Sequence, residues 1–328
     1  MALQRDTRYP GRWTTGNSAH PQGAFKNRSA PGALDGSYIE QDWANDWDGF
    51  FASLLNAASV TPNGNVDAVG SSQYFTALMN LMGHGQCRLS VASTTTLTLS
   101  PYNGRNVVVN AAVLQLPTAG VTYTISGLAA STVYYVYLSG TTAAPVLNLS
   151  TTAYVTGTNG VVVKSGDATQ TLVGMVRTNA STQFVDSAAI RTCLNWFNRR
   201  KIVSDAAQAG PFSFSSTTLA ETSSTLRAQF LTWADDIPIA QVSGNFTQTS
   251  GTPSITSLSH QLYMDGTTAY GPGLACVVQP TWNMPISGHG ALGGLSEGYH
   301  YSTLFTGLGP NGGTLNVNNT QNSVHIFG

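Results

Sequence analysis

Carboxylates, imidazoles and thiols are scarce in this chain, so each grouping that could do chemistry can be weighed. Asp235 and Asp236 adjoin Trp233, the composition of a sugar-cleaving site in which two carboxylates flank a glycosidic bond. Adjacent strand residues point to opposite faces, so they act as such a pair only if the strand bends. His289, Glu297 and His300 could be metal ligands or an acid–base set. Glu297 and His300 have helical spacing, but Gly298 lies between them and 299–301 reads as a strand, which favours a surface or structural role. Ser287-Gly288-His289-Gly290 lacks the central serine of a nucleophile elbow. There is no Walker A or dinucleotide fingerprint. His84, between Gly83 and Gly85, reads as a turn residue rather than a ligand, and the acids are too sparse for a calcium site. Cys87, Cys193 and Cys276 are far apart and odd in number. They read as buried thiols, not a disulfide framework, and fit assembly in a reducing cytoplasm. The expectation is a chain with no catalytic, cofactor or metal residues, and not an enzyme.

Recognition chemistry is better represented. Sugars are held by aromatic faces and by neutral or acidic hydrogen-bonding groups on ordered loops. Past residue 203 the densest such set is Trp282, Asn283, His289, Glu297, Tyr299, His300 and Tyr301, with glycines that permit tight exposed turns. The alternative is that Trp282 and Tyr301 are core and the glycines merely turn the chain. Tyr135 and Tyr137 share one strand face, with Tyr134 on the other. Strand packing with the hydroxyls at a domain rim is preferred there over sugar stacking.

Composition narrows the class further. Of 328 residues only 9% are charged, against roughly 25% in an ordinary soluble domain. Gly, Ser, Thr and Asn replace the missing charge while apolar and aromatic residues stay plentiful, which excludes disorder. A net charge of −1 argues against a nucleic-acid partner and gives little colloidal repulsion, a state better tolerated by a symmetric assembly than by a free monomer. Arg5, Arg8, Arg12, Lys26 and Arg28 crowd the start, opposed only by Asp6, and acids follow without a cation until Arg88. No signal peptide or 18-residue apolar run is visible.

The elements that would position these residues fall into five stretches. Residues 1–36 read as an extended anchoring arm, ordered only against partners. Residues 37–87 read as a helical attachment region. There Ser37 and Glu40 form a capping box, and Ile39, Trp43, Trp47, Phe50, Phe51, Leu54 and Leu55 make an apolar stripe ending at Asn56 or Ser59. A second helix spans 71–82, with Asp67 or Ser71-Ser72 as caps. Arg12, Trp13, Phe25, Trp43, Trp47, Phe50 and Phe51 are candidate docking or trimer contacts, because a helix with that face cannot stand alone in water. Residues 88–180 show short strands about ten residues apart, a β-sandwich. Residues 181–203 are a connecting seam, either a short helix on Ile190, Leu194 and Phe197 or a bent strand, with Arg199–Lys201 as a solvated joint. Residues 204–328 read as a jelly-roll-like domain. The fold class is mainly β: a short helical anchor followed by β-sandwiches.

The seam carries a resemblance. GDATQTLVGMVRT followed by LNWFNRR, with TVYYVYLSG and VVVKSGDATQTLVG before it, resembles a module of tail fibre and tail tip proteins of tailed bacteriophages. The stretch PQGAFKNRSAPGALDGSYIEQDWANDWDGFFASLLNAA resembles the tail-anchoring end of such fibres, and FLTWADDIP and GLSEGYHYSTL resemble their distal domain more loosely. The resemblance implies a virion protein assembled in the host cytoplasm. It implies a homotrimer whose partners are other tail or baseplate proteins and a bacterial surface polysaccharide or outer-membrane receptor. It carries no catalytic residue. The alternatives are a purely structural baseplate or collar component and a polysaccharide-degrading tail enzyme.

Overall fold

A computed structural model describes residues 3–58, 60–81, 83–250, 256–278, 282–309 and 312–328. Ser59 and Met82, expected at helix ends, lie outside the described residues. Two compact units, Met1–Gly83 and His84–Gly328, make up the chain.

The first unit holds helices α1 Arg5–Arg8, α2 Gln41–Ala57 and α3 Gln73–Leu81. The expected capping box does not form. Glu40 is the N-cap residue and makes no side-chain cap bond. The Ser37 hydroxyl is used elsewhere: it accepts from the Lys26 N–H at 2.9 Å and donates to the Arg12 carbonyl at 2.6 Å. Local side-chain bonds compete for the same hydroxyl that a cap would need. At α3 the expected caps are present. Asp67 accepts from the backbone of Gln73 and Tyr74, and Ser72 Oγ from that of Phe75. The arm makes contacts within the first unit: Trp13 pairs with Phe25 in a β-bridge, and Arg8 Nε meets Asp42 at 2.8 Å.

The second unit begins with strands β1 Cys87–Ser93, β2 Thr96–Pro101, β3 Asn106–Val109, β4 Ala112–Gln115 and β5 Val121–Thr124. It continues with β6 Val133–Thr141, β7 Ala144–Ser150, β8 Tyr154–Thr156, β9 Val162–Lys164 and β10 Asp167–Arg177. A sheet of β1, β2 and β5 packs on a sheet ordered β7-β6-β10-β9-β8, with β3 and β4 as a hairpin. Alternation, shifted by one residue in β10 at a bulge between Leu172 and Gly174, divides the residues of β6 and β10 between two cores. Val136, Leu138, Val173 and Val176 face this sandwich's own core, while Tyr137, Leu172 and Met175 belong to the core of the next domain. Burial on both faces explains why 172–176 is apolar without a break.

The seam is strand, not helix: β11 Ile190–Arg191 and β12 Cys193–Asn195, the latter pairing with β10. The distal domain follows with β13 Lys201–Gln208, β14 Phe212–Phe214, β15 Ala220–Glu221, β16 Ala228–Thr232 and β17 Ile239–Ser250. It ends with β18 Thr256–Met264, β19 Thr268–Val278, β20 Asn283–Ala291, β21 Gly298–Leu308 and β22 Thr314–Phe327. One sheet runs β16-β21-β18-β19 with β11 at its edge, and the other β13-β22-β17-β20. That interleaving is an eight-stranded jelly roll. Phe230, Leu262 and Leu304 of one sheet meet Phe246, Val317 and Val324 of the other in its core.

Arg199 is more than a solvated joint. Its guanidinium grips both carboxylate oxygens of Asp235 at 2.7 and 2.9 Å and lies over the rings of Trp196 and Trp233. Asn195 ties the domains together, accepting from Leu89 N through its side chain and from the Trp233 indole through its carbonyl.

Candidate functional site

The seven residues expected to form one binding loop do not come together. The stretch from Trp282 to Tyr301 is not a run of exposed turns but holds all of β20 and the first four residues of β21, strands of different sheets, joined by a short turn. Asn283 and His289 lie exposed on β20, opposite Thr247 and Gln241, with Trp282 just before that strand and 54% exposed. Gly293 and Gly294 do make an exposed turn, Gly294 at φ +78°, but Gly290 has another purpose. A Cβ on Gly290 would press on Tyr270 and on the backbone of Gly271, so Gly290 permits a close approach of β20 to β19.

Glu297 is committed to the seam. Tyr135 and Tyr154 donate their hydroxyls to its two oxygens at 2.6 and 2.7 Å. Burial, then these bonds to the carboxylate, push both phenols above their ordinary pKa. His300 is buried and bonded between Asp265 Oδ2 at 2.7 Å and the Ser296 carbonyl at 2.8 Å. Burial lowers its pKa, and the Asp265 bond, the Ser296 carbonyl and the Asp265 charge outweigh that and raise it. Both groups are thus bonded within the protein. Asp235 and Asp236 also separate, the first to Arg199 and the second accepting from Phe327 N at 2.9 Å. Among the described residues no three metal-ligating side chains cluster.

Tyr299 and Tyr301 remain, and the register of β21 shows what stands beside them. Gln229 of β16 is opposite Tyr301, and Tyr263 of β18 is opposite Thr303. Glu221 and Gln261 flank Phe305. With residues of one parity facing the core, this outer face carries Tyr299, Tyr301, Phe305 and Tyr263 among amides and charges, all half-buried. The face is ordered by its own contacts. Tyr263 and Phe305 stack with centroids 4.0 Å apart. Arg227 lies over Tyr301 and makes two bonds to Glu221 at 2.7 and 2.6 Å, while Thr303 donates to Glu221 at 2.8 Å. These bonds, the Arg227 pair first, hold the Glu221 carboxyl below its usual range despite burial. At the upper end Arg177, from the end of β10, lies 3.8 Å from the Tyr299 ring centre. Sequence reading found Tyr299 and Tyr301 but missed Arg177, Arg227, Gln229 and Tyr263. The alternation of β21 was a usable signal for the face; the strand pairing that fills it was not.

The docking candidates also divide. In the first unit Trp13, Phe25, Trp43, Trp47, Phe51 and Tyr74 form a continuous chain of ring contacts with centroids 4.4 to 6.1 Å apart. Trp13 is buried and Arg12 lies over Tyr38, so both serve the unit itself. Trp47 and Phe50 on α2, and Phe75 on α3, remain more than half exposed.

No family model and no curated protein matches the chain. Among solved structures, the EclA C-terminal domain, described as a sugar-binding protein, is 10% identical, with 42% of this chain and 81% of that chain covered and a TM-score of 0.20. Infectious bursal disease virus Gx strain gives 12% identity, coverage of 74% and 70%, and a TM-score of 0.29. A carbohydrate-binding module of the β-sandwich superfamily gives 12%, 72% and 96%, and 0.19.

Proposed function

We propose that this chain is a structural protein of a phage virion, a tail fibre or tail tip. In this reading the first unit attaches to other tail proteins and the jelly roll meets saccharide on the host surface. The observation that carries the binding role is the outer face of β16, β21 and β18. Four aromatic side chains, two glutamines and an ion pair stand there half-exposed and already ordered. That is the composition of a surface that recognises polar ligands with apolar patches. The attachment role is supported by Trp47, Phe50 and Phe75, large apolar groups that the first unit leaves open. Homotrimerisation, which the sequence resemblance implies, would multiply a weak contact at each distal face into avidity.

The test is binding of the purified chain to an array of bacterial surface glycans, with Tyr301→Ala as the control. Tyr301 is half-buried, so this change should leave the melting temperature within a few degrees while binding falls at least about tenfold, about 1.4 kcal/mol. An array on which no glycan binds would remove the saccharide reading and leave a structural baseplate or collar component.

A further inference from the structure

We infer that the outer face takes an acidic saccharide, with the carboxylate or phosphate of the sugar held by Arg177; this rests on the saccharide reading above. The argument is about which charges on the face are already used. Glu221 receives two bonds from Arg227 and one from Thr303. Asp265 accepts from Tyr301 N through one oxygen and bonds His300 through the other. Both carboxylates are therefore committed to the protein, and Arg227 is committed to Glu221.

Arg177 differs. Among the described residues no carboxylate lies within 4.0 Å of its guanidinium; its ordering contact is the ring of Tyr299. A guanidinium held by a ring face keeps its N–H groups unspent, while its orientation is set before a ligand arrives. The fork of donors matches a carboxylate or phosphate bidentately. Tyr299 is anchored in turn, its hydroxyl donating to Gln229 Oε1 at 2.7 Å. Tyr301 is two residues along β21, about 7 Å away, close enough for one sugar to touch it and present its anionic group to Arg177. Arg177 comes from the middle sandwich and Tyr299 from the jelly roll, so the seam must be closed for the receptor to exist.

The experiment uses the full chain on glycans bearing uronic acid, glycans bearing phosphate, and neutral glycans of matched length. Wild type should prefer an acidic group, and which class it prefers identifies carboxylate or phosphate as the anion. Its binding should weaken several-fold between 50 and 500 mM NaCl, salt concentrations chosen to span about 14 to 4 Å of screening. Arg177→Gln should lose at least about tenfold on the acidic class and little on neutral glycans; Arg177→Lys should recover only part. Selective binding of neutral glycans, binding insensitive to salt, or equal binding by Arg177→Gln would overturn the acidic assignment while leaving the saccharide reading intact. No binding to any glycan would overturn both. The salt series needs no variant, so it decides the matter even if Arg177→Gln fails to fold.

Discussion

The hydroxyl of Tyr135 donates to Glu297 Oε1 across 2.6 Å, joining residues 162 positions apart. Tyr154 takes the other oxygen, so one carboxylate from the jelly roll clamps two phenols of the middle sandwich. Tyr135→Phe should cost about 1.5–3 kcal/mol, the net worth of one hydrogen bond to a carboxylate. Glu297→Ala should cost about 2–3 kcal/mol, because two half-buried hydroxyls lose their acceptor. Urea unfolding of both single variants and the double variant measures the coupling. A coupling near zero would mean that the clamp adds nothing to the seam.

Gly85 should not tolerate a side chain. It sits at φ +75°, and a Cβ would overlap the Phe197 ring, which also packs on His84. Gly85→Ala should lose more than the roughly 1 kcal/mol of left-handed strain alone. Adding Phe197→Ala relieves the overlap but not the strain, so thermal unfolding of the pair should recover nothing if strain is the whole effect.

Acid should weaken the second unit through His84. Its Nδ1 accepts from Val108 N at 2.9 Å, and burial lowers its pKa to about 4. The folded form refuses a proton that the unfolded chain accepts at the ordinary histidine value of 6.5. Stability is therefore full above pH 6.5 and falls as pH drops towards 4, by on the order of 3 kcal/mol. His260 and His325 are also lowered by burial, so the His84 share is the difference between wild type and His84→Asn over that window. His300 works in the opposite sense: its raised pKa gives stability present below 6.5 and lost as pH rises through the folded value. Identical pH profiles for wild type and His84→Asn would refute the assignment.

A distal fragment should not behave as a domain. Cutting at residue 204 removes Trp196, Leu194, Tyr137, Leu172 and Met175 from the jelly-roll core, and the first three residues of β13. A chain of residues 84–328 should melt cooperatively, whereas 204–328 should bind a hydrophobic dye and show a broad transition. A sharp transition for the shorter chain would show that the two domains are separable.

Trp282 and Tyr299 should part company. Trp282 lies before β20, away from the β21 face, so Trp282→Ala should leave glycan binding and melting temperature nearly unchanged. Tyr299→Ala removes the ring that orders Arg177 and should reduce binding to acidic glycans. Equal losses from both would point to a site on β20 instead.

Much of the architecture was legible in the sequence because strand alternation and turn residues are local signals. The jelly roll and the buried run at 172–176 follow from them. The failures have one cause. Ser37 reads as a cap until Lys26 and Arg12 claim its hydroxyl, and Glu297 reads as a ligand group until two tyrosines from another domain claim it. Gly288 and Gly290 read as turn formers but lie in an edge strand, where a missing side chain is tolerated. Long-range partners decide such residues, and no window of sequence contains them.

The thiols have a practical consequence. Cys87 and Cys193 both lie inside the middle-sandwich core, and burial pushes the first up to about 12 and the second higher still. Enclosed in that core and held protonated at neutral pH, these thiols meet a thiol reagent only when the core opens. Cys276, half-buried on β19, is open to the reagent without such an opening and serves as the internal reference. The wild-type chain thus carries its own clock: the slow labelling of Cys87 and Cys193, set against the faster labelling of the more accessible Cys276, times the opening of the middle sandwich without a single substitution.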